Sequence, residues 1–269
     1  MADDVATIGV LGGSGLYALL DDARTVEVDT PYGPPSAPVV VGDVQGRPVA
    51  FLPRHGRRHE HPPHRVPYRA NLWALRSLGV RQVVAPCAVG GLRPELGPGS
   101  LVVPDQLVDR TSGRVQTFYD RGAVHVAFAD PYCPTGRAVA LRTAQAAGWP
   151  VTDGGTLVVV EGPRFSTRAE SQWFSAQGWS VVGMTGHPEA VLARELALCC
   201  TAVALVTDLD AGVEQGQAVT HAEVLRVFRD NTERMRSLLL EGVAALPASQ
   251  GDCSCGHALD GLDPDPALP

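Results

Sequence analysis

Several short segments of this 269-residue chain place chemically capable side chains beside glycine or at the ends of apolar runs. Gly12-Gly13-Ser14-Gly15 follows the apolar run Ile8-Gly9-Val10-Leu11. Glycines after a buried strand let successive backbone N–H groups point at one anion, and the Ser14 hydroxyl adds a donor; a tight turn closing the strand is the competing reading. No Gly-Lys-Ser/Thr follows, so the lysine of a nucleoside-triphosphate cradle is missing and a cation must come from elsewhere. Pro53-Arg54-His55-Gly56 supplies one. Arg54 can fork two donors onto an oxyanion, and His55 can add a third or move a proton. Pro86-Cys87-Ala88-Val89-Gly90-Gly91 reads as a second small-residue turn, open to close backbone approach. Thr185 lies just ahead of a helix, where its hydroxyl makes either an anion-favouring corner or a plain cap. Thr207-Asp208-Leu209-Asp210 ends the most apolar run. Acids at i and i+2 of a strand face one side and repel, so one tends to keep its proton. Such a pair reads the edge of a heterocycle as donor and acceptor, or else serves as caps or a metal site.

The elements that must position these groups alternate. Strands are expected over 7–11, 38–41, 49–52, 82–85, 100–103, 155–160, 181–184 and 202–207, from short β-branched runs. Apolar positions at helical spacing mark 68–78, 137–147, 167–177, 188–198 and 221–240. Pro188 suits a first helical position, with Glu189 in the first turn where the helix dipole favours an acid. The alternation predicts a single α/β domain with a largely parallel, mixed central sheet flanked by helices, and ligands beyond the carboxyl ends of the strands. That domain is assigned to residues 1–247. Residues 248–269 form a polar C-terminal tail whose ordering is left to a neighbouring subunit.

A net charge of −7 argues against a nucleic-acid partner. The histidine-rich basic stretch from Arg54 to Arg69 is then local. The N-terminus lacks the basic residues of a secretory signal, and the apolar run from Leu196 to Val206 is too short to span a bilayer, so a cytoplasmic protein without membrane partners is expected. Adjacent Cys199 and Cys200, with isolated Cys87 and Cys133, fit a reducing compartment. The tail motif Cys253-Ser254-Cys255-Gly256-His257 offers two close cysteines and one histidine, short of the four ligands of a structural zinc site, so no metal is expected.

Taken together, Ile8 to Leu16, Arg54-His55-Gly56-Arg57, the run Glu161-Gly162-Pro163-Arg164-Phe165-Ser166-Thr167-Arg168-Ala169-Glu170, Met184-Thr185 with Pro188-Glu189, and Thr207 to Asp210 resemble the trimeric purine nucleoside phosphorylase family. Within it they look most like the 5′-methylthioadenosine phosphorylase branch. The resemblance spans roughly Ile8 to Leu240 and keeps the family's order. It implies that phosphate attacks C1′ of a nucleoside, releasing the base without a covalent enzyme intermediate. Inorganic phosphate is then a co-substrate and no cofactor is needed. By resemblance Ser14, Arg54, His55, Cys87, Ala88 and Thr185 hold phosphate, Met184 lies against the ribose, and Phe165 and Ser166 line the base pocket. Asp208, with His55, is the expected catalytic group: where 6-oxopurine enzymes carry asparagine, a protonated Asp208 donates to purine N7, and Asp210 accepts from the 6-amino group or shares the proton.

Three positions depart from that pattern. Cys87 replaces a common threonine, Gly183 replaces an asparagine and thins the base pocket, and His221 stands where the methylthio branch has a small apolar residue. His221 brings adenosine in as a rival substrate. Val224, and His125 from a neighbouring subunit, would complete the 5′ pocket, with Leu259, Leu262 and Leu268 of the tail closing over it. A homotrimer, or a dimer of trimers, follows from the resemblance alone. Other readings are a 6-oxopurine phosphorylase, a nucleoside hydrolase, a non-catalytic nucleoside-binding protein, and a nicotinamide oxidoreductase. The last rests on Gly13-Ser14-Gly15-Leu16-Tyr17-Ala18, which lacks the helix and second parallel strand that such a fingerprint requires.

Overall fold

The computed structural model describes residues 6–12, 21–122, 124–211 and 220–262. In chain order the strands are β1 (Ile8–Gly12), β2 (Asp21–Val26), β3 (Val39–Val44), β4 (Arg47–Pro53), β5 (Gln82–Gly91), β6 (Leu101–Val103), β7 (Gln106–Arg110), β8 (Val151–Asp153), β9 (Thr156–Val160), β10 (Val181–Gly183) and β11 (Cys199–Leu209). The helices are α1 (Tyr68–Ser77), α2 (Pro134–Ala146), α3 (Arg168–Ala176), α4 (Gly186–Glu195) and α5 (His221–Ala245). The expected mixed α/β sheet is present: its main path runs β2-β3-β4-β1-β5-β10-β9-β7, and β11 joins β5 to β6 and β8.

The central strands are largely apolar on both faces because both faces are covered. Along β1, Leu11 faces one core with Leu72 and Leu75 of α1 and Leu192 of α4. Ile8 and Val10 face the other, with Val139 of α2 and Leu238 and Leu239 of α5. In β4, Ala50 and Leu52 join the first core, and Val49 and Phe51 the second. This period of two fixes the register, since a slip by one residue would exchange the two faces.

β5 differs most from the sequence reading. The presumed turn at 86–91 is the second half of one continuous strand, held by parallel pairing with β11 from Gln82 to Gly91. Its other edge pairs with β1 over Gln82–Val84 and with β10 only at Gly90 and Gly91. Between them the sheet parts, and residues 86–90 line a cavity there. β2, β7 and β8, in polar stretches that carry little apolar alternation, went unread.

Residues 250–257 correct the expectation for the tail, since they pack on their own chain. Gln250 Nε2 donates to the Ala197 carbonyl (2.9 Å), and Cys255 is buried in a 3₁₀ turn over Ser254–His257.

Candidate active site

The cavity, about 440 Å³, lies where the strand ends converge. β4 delivers Arg54 and His55 to it, β5 its parted edge, β10 Met184 and Thr185, β11 Asp208 and Asp210, and α5 one apolar wall.

Arg54 is 2% exposed. Part of its fork is engaged within the protein: Nε and Nη2 (3.0 Å) both donate to the Glu189 carboxylate, while Nη1 donates to the Pro86 carbonyl (3.0 Å). Glu189, in the first turn of α4 as the sequence predicts, is also the buried counter-ion of Arg54. Burial works against the Arg54 cation, but Glu189 outweighs it and holds the guanidinium above its ordinary pKa. Arg54 has five N–H donors and three are engaged, so two remain for a ligand.

His55 Nδ1 lies 2.8 Å from the His61 carbonyl. Because a carbonyl only accepts, the proton sits on Nδ1. Burial, reinforced by the Arg54 charge, holds the imidazole down to about 4, so near neutral pH it is uncharged and its Nε2 carries a lone pair. Neutral His55 thus has no further N–H to serve as a third donor, which leaves the other role the sequence allowed, moving a proton. The Cys87 thiol, pushed up to about 12 by burial, is neutral. Thr185 precedes α4 but makes no side-chain cap hydrogen bond, and its buried side chain lines the cavity with Arg54 and Cys87.

On the opposite wall the β5–β11 register shifts between Val206 and Asp208. Such a bulge re-aims the side chains after it, and Asp208 and Asp210 both line the cavity. Gly90 makes room for them: a Cβ there would sit 3.1 Å from Asp208 Oδ1 and 3.2 Å from Asp210 Cβ. Burial lifts the Asp208 carboxyl to about 6, with the Asp210 charge pushing the same way and a 2.7 Å hydrogen bond from the Thr207 hydroxyl pulling against it. Desolvation, more than mutual repulsion, is thus the main cause of the raised Asp208 pKa. Burial likewise raises Asp210 against the pull of the Ser166 and Ser171 hydroxyls and the Ala211 N–H, and its buried Oδ2 has no close hydrogen-bond partner among the described residues.

Phe165 and Ser166 are presented by the loop after β9. The Glu161–Glu170 run earns its residue types structurally: Arg164 is bidentate on Glu170 (2.7 and 2.7 Å), and Thr167 and Glu170 form a capping box at the start of α3. Arg114 escaped the sequence reading because it sits in an irregular polar stretch without periodicity. Its Nη1 donates to the carbonyls of Met184 (2.9 Å) and His187 (2.5 Å), and its Nη2 donates to that of Glu161 (2.7 Å). It ties the β9 loop to the β10–α4 loop.

Val224 lines the cavity beside Leu225 and Phe228. Gly183 lines the cavity, and a Cβ there would meet Val89 at 3.2 Å and Leu157 at 3.3 Å. His125 is exposed and is not among the cavity residues of its own chain. Ser14 and Leu268 lie outside the described residues, as does the side chain of His221.

A cradle for an oxyanion facing a carboxylate pair, in an open α/β sheet, defines a class. A family model described as "Phosphorylase superfamily" matches residues 7–244, and the chain belongs to that family. Among its relatives, a purine nucleoside phosphorylase of Streptomyces coelicolor is 65% identical, with all of both chains covered. An S-methyl-5′-thioadenosine phosphorylase of Mycolicibacterium smegmatis is 62% identical over 94% of this chain and 95% of its own. Of solved structures, a methylthioadenosine phosphorylase from an antarctic soil metagenomic library superposes with a TM-score of 0.91 at 40% identity, covering 99% of this chain and 96% of its own. The Schistosoma mansoni methylthioadenosine phosphorylase bound to adenine has a TM-score of 0.85 at 37% identity, covering 89% and 91%.

Proposed function

We propose that this protein cleaves the N-glycosidic bond of a 6-aminopurine nucleoside with inorganic phosphate, its preferred substrate being 5′-methylthioadenosine and its products adenine and 5-methylthioribose 1-phosphate. The observation that carries the reading is the Asp208–Asp210 pair across one cavity from Arg54, His55 and Thr185. A carboxyl that titrates near 6 donates to N7 of the departing base when protonated, which makes the base a better leaving group. Asp210 Oδ2, without a close partner among the described residues, can accept from an amino group at purine C6. The apolar Val224–Phe228 wall suits a methylthio group at C5′ better than a hydroxyl.

In this reading phosphate sits on the remaining Arg54 donors, the Thr185 hydroxyl and the parted edge of β5. Its own O–H donates to His55 Nε2. Glu189 already balances Arg54, so the phosphate charge stays available to the sugar, which becomes cation-like as the base leaves. Phosphate then closes on C1′ with no enzyme-bound intermediate and no cofactor. We further propose a cytoplasmic homotrimer in which His125 of a neighbouring subunit reaches the 5′ end of the cavity; light scattering reads the assembly directly. Among the described residues no helix is long and apolar enough to cross a membrane.

The deciding experiment measures base release from methylthioadenosine, adenosine and inosine at equal concentration, with and without phosphate. Adenine released from methylthioadenosine only when phosphate is present supports the reading. Release with water alone, or faster cleavage of inosine, overturns it.

A further inference from the structure

Cys133, Cys199, Cys253 and Cys255 come from three parts of the chain: the N-terminus of α2, the first position of β11 and the C-terminal 3₁₀ turn. Their sulfurs all lie within 4.8 Å of one another. Cys253 Sγ is 3.6 Å from Cys133 Sγ and 3.7 Å from Cys199 Sγ. A disulfide requires about 2.05 Å, and all four are free thiols. Four thiolates around a tetrahedral zinc, at Zn–S about 2.3 Å, stand about 3.8 Å apart, close to the two spacings from Cys253, while the remaining pairs stay within 4.8 Å.

The surroundings are those of a metal thiolate centre. Cys133, Cys199 and Cys255 are each under 5% exposed. Two N–H groups point at sulfur: Gly136 N lies 3.4 Å from Cys133 Sγ, and Gln250 Nε2 lies 3.4 Å from Cys199 Sγ. Donors of this kind stabilise coordinated thiolates and fix their orientation. His257, the ligand suggested by the tail motif, turns to Asp260 instead (2.9 Å) and is exposed. The ligands absent from the tail sequence are supplied by Cys133 and Cys199, far away in the chain.

We propose that these four cysteines hold one zinc ion that staples the C-terminal tail to the body of the protein. Four soft sulfur ligands in a closed tetrahedron favour zinc over the harder divalent ions and leave no open position for catalysis. Binding follows Zn²⁺ + 4 RSH → [Zn(SR)₄]²⁻ + 4 H⁺, with no oxidant involved. None of the four cysteines lines the active-site cavity. The site therefore supplies stability: it closes a loop of 54 residues between Cys199 and Cys253 and one of 120 between Cys133 and Cys253.

The full-length protein, purified under reducing conditions without chelator, is analysed for metals and for thiols. About one zinc per chain is expected, with all six cysteines titrating as thiols after denaturation in chelator. Cys253→Ser and Cys255→Ser should each lose the metal and melt earlier, while kcat/KM of the folded variants stays within about twofold of wild type. Cobalt in place of zinc should show the intense ligand-field and sulfur-to-metal charge-transfer bands of a tetrathiolate. Two disulfides, read as a mass lower by two hydrogens per bond and only two free thiols, would overturn the proposal. So would reduced, metal-free protein that fails to take zinc from a chromophoric chelator, or iron found in zinc's place.

Discussion

Arg54 and Glu189 lie 135 residues apart in the chain and meet as a bidentate ion pair, both within 3% of full burial. The pair locks the loop after β4, whose Arg54 and His55 line the cavity, to α4, which follows the cavity residues Met184 and Thr185. Removing one partner of such a pair leaves an uncompensated buried charge, which costs about 3–5 kcal/mol. Glu189→Gln should lower the denaturant midpoint and raise KM for phosphate about tenfold or more, since a misaimed clamp loses one to two charge-assisted hydrogen bonds. Arg54→Met with Glu189→Leu should recover stability but not phosphate binding. Steady-state kinetics and urea melts of the two variants read both effects.

Asp208→Asn should lower kcat/KM for methylthioadenosine by about a hundred- to ten-thousand-fold, the usual contribution of a positioned general acid, and shift preference toward inosine. In the wild type the protonated Asp208 is the active form, so kcat/KM should fall as pH rises through about 6, and this limb should vanish in the variant. Unaltered base preference in a substrate panel would count against the assigned role.

The same group makes a stability prediction. The folded-state pKa of Asp208, about 6, lies above the ordinary 3.8, so ionisation penalises the folded protein. Its favourable contribution is full below the unfolded pKa and is lost as pH rises through about 6. Asp208→Asn should therefore stabilise the protein near about pH 8 and do little near about pH 3.5. Thermal melts at the two pH values separate the cases.

His55, neutral and accepting through Nε2, discriminates among oxyanions. Phosphate and arsenate carry an O–H at neutral pH and sulfate does not. Sulfate should inhibit with a Ki about tenfold or more above the phosphate KM, the worth of one hydrogen bond involving charge. His55→Ala should narrow that gap, and inhibition constants for the two anions check it.

Arg114→Met should remove donors from the Met184, His187 and Glu161 carbonyls and leave them buried. Each unsatisfied group costs about 1–3 kcal/mol. A fall in melting temperature with a rise in KM for the nucleoside is expected, because Met184 and Phe165 sit on the loops that Arg114 joins.

The sequence alone determined the layered α/β class and the nature of the site, because both rest on local signals. β-branched runs and helical periodicity marked β1, β4, β9 and all five helices. Glycine, arginine and paired acids at run ends marked the cavity residues Arg54, His55, Thr185, Asp208 and Asp210. What tertiary structure decided was the partner of each group. That Arg54 is paired with Glu189, that His55 gives its proton to the His61 carbonyl, and that β5 runs on through 86–91 with one edge parted are all decided by what folding sets beside each segment. The four cysteines make the point most plainly: Cys253 and Cys255 look like half a site until β11 and α2 bring Cys199 and Cys133 beside them. Spacing along a chain specifies which face a residue takes, but not what another element will set against that face, and charge, tautomer and ligand count depend on the latter.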